Sequence, residues 1–306
     1  MRLRTALAKS KNLLSVRILQ AIGPQYAQDY VTRFGFDPTR HPAFLTMALG
    51  AGTVTLMVSL AIWVFVRDDP AQKGYASYAG SKVSPKDSSG TGILAGIMEV
   101  FRYSNTWLLF VIPGGVVGCV LTFGGLWGVP YLTTVYDMPA TRAAALNSAL
   151  LVAWAVGSPV FGWLSDRIGR RKLPFLIGWA IAGAGWAVLV YLPGLSQWWV
   201  AVFLLIAGFF SGSMMTTFAF AKESVPTHLA GTVSGVVNMG VMLGPTVLQP
   251  LMGWVLDRWW QGEMLEGVRI YGFQAYRAGF TLMMAWALLA LVLLFFTKET
   301  HCRQQL

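Results

Sequence analysis

The chain has 306 residues, of which 55% are hydrophobic and only 12% are charged, and its formal net charge at pH 7 is +10. A soluble domain carries about 25% charged residues, so this composition argues against a soluble protein and favours one that lies in a lipid bilayer. In so apolar a chain, the basic balance indicates membrane topology and contact with anionic lipid. Nucleic acid is therefore not expected as a partner.

The long apolar runs have the length of membrane-spanning helices, since about 20 apolar residues cross the hydrocarbon core of a bilayer. They also lack the alternating pattern of a membrane β-barrel. The predicted fold class is all-α, a polytopic membrane helical bundle with seven spans. These lie at about 43–66, 106–131, 143–164, 174–193, 198–220, 231–256 and 273–296.

The segments around the spans differ in composition. Residues 1–42 form a basic tail with leucines at helical spacing, which predicts an amphipathic surface helix. After the single span at 43–66, residues 67–105 are a polar cytoplasmic linker that ends in a short amphipathic surface helix. The six-helix bundle at 106–296 follows with short loops, and residues 297–306 form a cytoplasmic tail.

Charge is concentrated in one loop, GWLSDRIGRRK at residues 162–172. If this loop faces the cytoplasm, the inner segments hold 12 basic residues and the outer loops between spans hold 4. That asymmetry fits the positive-inside rule. The seven basic residues of the tail at 1–42 would lie outside, however, and they cancel the excess.

The charged loop resembles the signature Gly-x-Leu-Ser-Asp-Arg-x-Gly-Arg-Arg of the major facilitator superfamily of membrane transporters. In that family the loop joins the second and third helices of each six-helix half, and here it follows the second span of the six-helix bundle. A second similar element, Gly-x-x-x-Gly-Pro, comprises Gly240, Gly244 and Pro245, which predict close helix packing and a kink. The resemblance of the loop depends on Gly162, Leu164, Asp166, Arg167, Gly169, Arg170 and Arg171.

The resemblance implies transport of a small solute by alternating access, in an integral protein of the bacterial inner membrane. The chain matches helices six to twelve of the family, so six of its seven predicted spans form one half of the fold. The main alternative is a truncated or split carrier without transport activity of its own. Such a carrier would need a separate chain to supply helices one to five.

The charged loop is expected, by resemblance, to act as a conformational latch rather than as a solute site. Gly169 permits a tight turn, and Asp166 can accept backbone N–H groups at a nearby helix N-terminus, where the dipole favours an anion. The expected latch residues are Gly162, Asp166, Arg167, Gly169, Arg170 and Arg171.

In the family, the first and fourth helices of each half line the central cavity and the second and fifth flank them. Polar side chains at those depths are candidate solute contacts. They are Trp127, Tyr131, Asn147, Ser213, Thr217, Asn238 and Gln249. No Asp, Glu, Lys or His lies deep in any predicted span, so the sequence offers no group for proton coupling.

Other classes of function find less support. His41, His228 and His301 are far apart, and the chain has no His-Glu-x-x-His, Gly-x-x-x-x-Gly-Lys or Gly-x-Ser-x-Gly motif. An enzyme, a catalytic residue, a metal site and a cofactor are therefore not expected. A seven-helix receptor or sensor is less favoured, because the last span has no lysine before Lys298 to hold a retinal.

Overall fold

The computed structural model describes residue 60, residues 93–265 and residues 268–305. The predictions for 1–42, for the span at 43–66 and for most of the linker lie outside the described residues. The chain divides into two units, Met1–Ser89 and Gly90–Leu306. In the first, Leu60 is helical with an exposed side chain, and everything below concerns the second.

The second unit consists of a short helix α1, Ile93–Val100, followed by long helices. The long helices are α2 (Ser104–Tyr136), α3 (Ala140–Ile168), α4 (Lys172–Tyr191), α5 (Gln197–Glu223), α6 (Thr227–Arg258) and α7 (Phe273–Phe296), each long and apolar enough to cross a membrane. Between α6 and α7, the two-residue strands β1 (Met264–Leu265) and β2 (Val268–Arg269) pair antiparallel. Apart from this small hairpin the described unit is helical, which confirms the predicted fold class.

Three of the long helices change geometry along their length. Helix α2 is α-helical over Ser104–Thr122, π-helical over Phe123–Trp127 and α-helical again over Gly128–Tyr136. Helix α5 runs from Gln197–Ser211 through a 3₁₀ turn at Gly212–Met215 to Thr216–Glu223. Helix α6 begins with a 3₁₀ turn at Thr227–Leu229 and is regular over Ala230–Arg258.

Helix α2 is the centre of the bundle and packs mainly on α6 and α7, while α5 packs on α3 and α4. Glycines allow the closest crossing, between α2 and α6. A Cβ atom on Gly240 would overlap with the carbonyl oxygen of Phe110, and one on Gly244 would overlap with that of Gly114. Small residues let membrane helices approach until their backbones touch, and the resulting van der Waals contact holds them together.

Candidate functional site

The charged motif forms the last turns of α3 and the bend into α4. Helix α3 continues to Ile168, beyond the predicted end of the span, because residues outside the apolar run still complete helical hydrogen bonds. Gly169 ends it with a left-handed φ of +69°, which favours glycine. The backbone N–H groups of Gly169 and Arg170 donate to the carbonyl oxygen of Ser165 at 3.0 and 3.2 Å.

Arg171 connects the end of α3 to the end of α5. Its Nη1 donates to Ser165 Oγ at 2.7 Å and to Asp166 Oδ1 at 2.5 Å, and its Nη2 and Nε donate to Glu223 Oε1 at 2.7 and 3.0 Å. The residue is only 8% exposed. Burial alone would lower the pKa of the Arg171 guanidinium, but its hydrogen bonds to Glu223 and Asp166 raise that pKa instead. The guanidinium therefore stays charged inside this contact.

Glu299, just beyond α7, holds the start of α4. Its carboxylate accepts the backbone N–H groups of Arg171 and Lys172 at 2.8 and 3.0 Å, and that of Thr300 at 3.0 Å. Burial alone would raise the pKa of the Glu299 carboxyl, but these N–H donors hold that pKa below its usual value of about 4.5. An anion at a helix N-terminus is stabilised by the unpaired N–H groups and the dipole.

That Asp166 accepts N–H groups at a nearby helix N-terminus stays a prediction, and at the N-terminus of α4 this contact is made by Glu299. Asp166 lies in the last turn of α3, from which its carboxylate reaches the guanidinium of Arg171 after the bend. We call the set the Arg171 cluster; it comprises Ser165, Asp166, Arg171, Glu223, Glu299 and Thr300.

Further polar contacts close the same end of the bundle. Lys172 Nζ donates to the carbonyl oxygens of Phe295 and Thr297, at 2.6 and 2.9 Å, where α7 ends. Thr300 Oγ1 donates to Glu223 Oε2 at 2.5 Å. These contacts bring the ends of α3, α4, α5 and α7 into one network.

The remaining motif residues lie outside the Arg171 cluster. The side chains of Arg167 and Arg170 are exposed, and the guanidinium of Arg167 lies 5.2 Å from the ring centroid of Trp163. Within the cluster itself, the side chain of Asp166 is 67% exposed although it pairs with Arg171. At Gly162, a Cβ atom would meet nothing within 4 Å.

Two acidic residues of the cluster, Glu223 and Glu299, are not singled out by the sequence pattern. The sequence offers one signal for a role at this site: each lies within a few residues of the end of an apolar run. They meet Arg171 across separations of 52 and 128 residues, so the pairing depends on the tertiary fold.

Three of the predicted solute contacts come together at the π-helical turn of α2. Asn147 Nδ2 of α3 donates to the carbonyl oxygen of Gly124 at 2.6 Å, and Gln249 Nε2 of α6 donates to that of Leu121 at 3.0 Å. The Trp127 indole N–H donates to the carbonyl oxygen of Gln249 at 3.3 Å. All three predicted side chains are half-buried.

The other four candidates lie apart from this turn. Tyr131 is buried among aromatic side chains and donates its hydroxyl to the carbonyl oxygen of Leu189 at 3.1 Å. Ser213 and Thr217 are fully buried on α5, and Ser213 packs against Gly178 of α4. Asn238 is exposed on α6.

Within residues 93–265 and 268–305, His, Cys, Asp and Glu side chains do not gather into any group of three or more that could hold a metal ion. Cys119 and Cys302 are both free thiols.

One relative of this chain is not named as a carrier. A stretch of 88 residues, 28% of the chain, is 48% identical to penicillin-binding protein 1A of Neisseria gonorrhoeae and corresponds to 10% of that protein.

The similarity to transporters covers much more of the chain. Over 262 residues the chain is 26% identical to the lysosomal dipeptide transporter MFSD1 of Gallus gallus, which includes 84% of this chain and 53% of that protein. The chain thus spans about a tenth of the first relative and about half of the second.

A solved structure supports the same fold. A bacterial homologue of the human lysosomal transporter Spinster, inward-facing and unoccupied, superposes with a TM-score of 0.54 at 17% identity over 95% of this chain and 65% of that one. The sequence profile described as Major Facilitator Superfamily matches residues 21–247 and 128–305. The two overlapping matches include well over half of the residues, and the chain belongs to the Major Facilitator Superfamily.

Proposed function

We propose that this chain forms one half of a solute carrier that works by alternating access in a bacterial inner membrane, with the Arg171 cluster as its conformational latch. The observation that supports this best is the position of the cluster. Its buried guanidinium joins the ends of α3 and α5, and the carboxylate of Glu299 beyond α7 holds the start of α4 beside it, in the loop where the family has its signature. In a chain of apolar spans, these are charged contacts that can form in one state and break in another.

The latch has an exposed side that another helical bundle can engage. Asp166 contributes one carboxylate oxygen to Arg171 and remains 67% exposed, with the exposed guanidinium groups of Arg167 and Arg170 beside it. A helix end from the other half of a carrier could pair with these charges in one conformation and release them in the next. The buried pair of Arg171 with Glu223 would stay intact within this half.

The proposed solute is small and polar or weakly charged. The seven candidate contacts named from the sequence remain the proposed lining, and all carry neutral side chains. Trp127, Gln249 and the exposed Asn238 are the most accessible of them, while Tyr131 would need a rearrangement of its aromatic neighbours. A dipeptide, the cargo in the name of MFSD1, has two charged termini that the other half of the carrier would have to bind.

The second candidate is a truncated or split carrier without transport activity of its own. One observation favours it: 88 of the residues resemble a protein that is not named as a carrier. A seven-helix receptor or sensor is less favoured, since the relatives over most of the chain are transporters.

Uptake into vesicles tests these proposals. The chain is reconstituted alone and together with a second chain that carries the first five helices of a full-length relative, and uptake of a panel of labelled neutral solutes is measured. Uptake by the chain alone supports a functional carrier, whereas uptake only in the presence of the second chain supports the split carrier. Absence of uptake in both arrangements counts against transport.

The latch is tested in the preparation that shows solute uptake, either the chain alone or the chain with the second chain. Asp166→Asn should lower the uptake rate by at least tenfold while the amount of inserted protein stays the same. Asp137→Asn is the matched control, because Asp137 is exposed at the opposite end of α3 and has a left-handed φ that Asn tolerates. Unchanged uptake in Asp166→Asn would contradict the latch.

A further inference from the structure

The π-helical turn of α2 is an irregularity that the proposed function does not explain. At this turn the backbone N–H of Gly128 donates to the carbonyl oxygen of Phe123, five residues earlier, instead of four. A π turn is rare, and in a membrane helix its displaced backbone groups need partners because lipid offers none. Here the turn lies between α3 and α6, and the last segment of α2, Gly128–Tyr136, begins directly after it.

Two side-chain amides supply those partners from opposite sides. Gln249 of α6 donates to the carbonyl oxygen of Leu121, just before the turn, and Asn147 of α3 donates to that of Gly124 within it. Each amide donates an N–H group to a backbone carbonyl of α2. A bond of this kind fixes the shape of a helix and does not by itself bind a solute.

The amide oxygen of Asn147 makes a close contact at the turn. Asn147 Oδ1 is buried and has no donor among the described residues, and it lies so close to Gly128 that a Cβ atom there would overlap with it. On the other flank the contact is looser, since a Cβ atom on Gly125 would lie 3.4 Å from Gln249 Nε2. The position of Asn147 therefore depends on a glycine at 128.

We propose that Asn147 and Gln249 are positioning residues that brace the π turn and thereby hold the last segment of α2, Gly128–Tyr136, in its present orientation. If either amide is removed, the turn can return to α-helical geometry and the residues after it rotate about the helix axis. The proposal rests on the proposed function for its consequence in transport: although the two amides are among the seven proposed lining residues, they set how fast α2 changes shape rather than bind the solute.

The brace is tested on the full chain in lipid nanodiscs by amide hydrogen exchange. Gln249→Leu and Asn147→Leu each keep the approximate size of the side chain and remove its hydrogen-bond donor. Each should accelerate exchange in residues 121–131 by about tenfold, because about one hydrogen bond is lost from a local opening equilibrium. Thr246→Val is the matched control on α6, since the Thr246 hydroxyl donates to Met242 of its own helix.

A pair of glycine variants tests the same brace without touching either amide. Gly128→Ala should displace Asn147 and reproduce the faster exchange, whereas Gly125→Ala, in ordinary contact with Gln249, should leave exchange in residues 121–131 unchanged. Unchanged exchange in Gln249→Leu, Asn147→Leu and Gly128→Ala, or equal acceleration in Thr246→Val, would overturn the proposal.

Transport kinetics then separate positioning from solute contact. For a positioning residue, Gln249→Leu lowers kcat with KM nearly unchanged, and for a solute contact it raises KM, which would contradict the role assigned here. The two proposals fail in different ways. Faster exchange without uptake of any solute leaves the brace standing and removes the carrier function, whereas uptake with unchanged exchange does the reverse.

Discussion

A single guanidinium, that of Arg171, holds the ends of two helices, and its partners decide how much that contact stabilises the chain. The side chains of Arg171 and Glu223 are 9% and 14% exposed, so solvent screens their interaction little. A buried charge that loses its partner keeps its desolvation cost and loses its compensation. Removal of the Glu223 carboxylate is therefore expected to destabilise the folded chain.

We expect Glu223→Ala to lower the free energy of unfolding by about 3 kcal/mol, because it leaves the guanidinium of Arg171 buried with only Asp166 as a charged partner. Equilibrium unfolding of the full chain in mixed micelles, followed by tryptophan fluorescence, measures this loss. Lys222→Ala is the control, since Lys222 is the exposed neighbour on the same turn. Equal stability of the two variants would contradict a structural role for the pair.

The carboxylate of Glu299 gives the same end of the bundle a dependence on pH. Its pKa in the folded chain is lowered, so its stabilisation is complete above about pH 4.5 and is lost as the pH falls through the lower folded value. We expect the thermal unfolding midpoint to drop as the pH falls below about 4.5 in the native chain, and to drop less in Glu299→Gln. Glu263→Gln, in the exposed segment between α6 and α7, should follow the native chain.

These residues also show how far a sequence can predict a site. The motif identifies Asp166 and Arg171 because the family resemblance lies in a contiguous stretch. It does not identify Glu223 or Glu299, because acids near span ends look alike until the fold brings them to the same guanidinium. The expected contact of Asp166 with a helix N-terminus stays a prediction, while the N-terminus of α4 is held by Glu299, which the motif does not include.

At the scale of the element, apolar runs predict which segments form helices better than they predict how those helices are shaped. The six described spans coincide with the predicted ones, since the length of an apolar run reflects the thickness of the hydrocarbon. The helices extend further, as α3 does to Ile168, because helical hydrogen bonds continue into polar surroundings. The π turn of α2 depends on donors from α3 and α6, so the sequence of α2 alone could not predict it.

The crossing of α2 and α6 leads to a prediction about glycine. Gly240→Ala should destabilise the chain by about 2 kcal/mol, because its Cβ atom would overlap with the backbone of Phe110 and force the helices apart. Gly235→Ala is the matched control on the same helix, where a Cβ atom would meet nothing within 4 Å and alanine should stabilise slightly. Equilibrium unfolding in mixed micelles measures both, and equal effects would show that the crossing tolerates a methyl group.

At the scale of the whole molecule, the question is which side of the membrane carries the Arg171 cluster. Helix α3 has 29 residues and is therefore about 44 Å long, enough to separate its two ends by a full bilayer. The basic residues of the motif favour a cytoplasmic C-terminal end for α3, but the tail at 1–42 removes the overall charge excess. The count of basic residues therefore does not decide the topology, which has to be measured.

In a chain with Cys119 and Cys302 replaced by alanine, Ile168→Cys should react with a membrane-impermeant maleimide only from the cytoplasmic side. Asp137→Cys, exposed just before the other end of α3, should react only from the opposite side. Labelling of position 168 from outside would reverse the orientation and remove the latch from the inner surface.

The capping of α4 by Glu299 has a consequence for biosynthesis. Glu299 is translated 127 residues after Lys172, whose backbone it holds, so α4 enters the membrane long before its N-terminus can be completed. Until Glu299 has been made, the first backbone N–H groups of α4 lack the carboxylate that accepts them, whereas the Arg171 guanidinium already has Ser165, Asp166 and Glu223 as partners. The last residues of the chain therefore complete the start of one of its earlier helices.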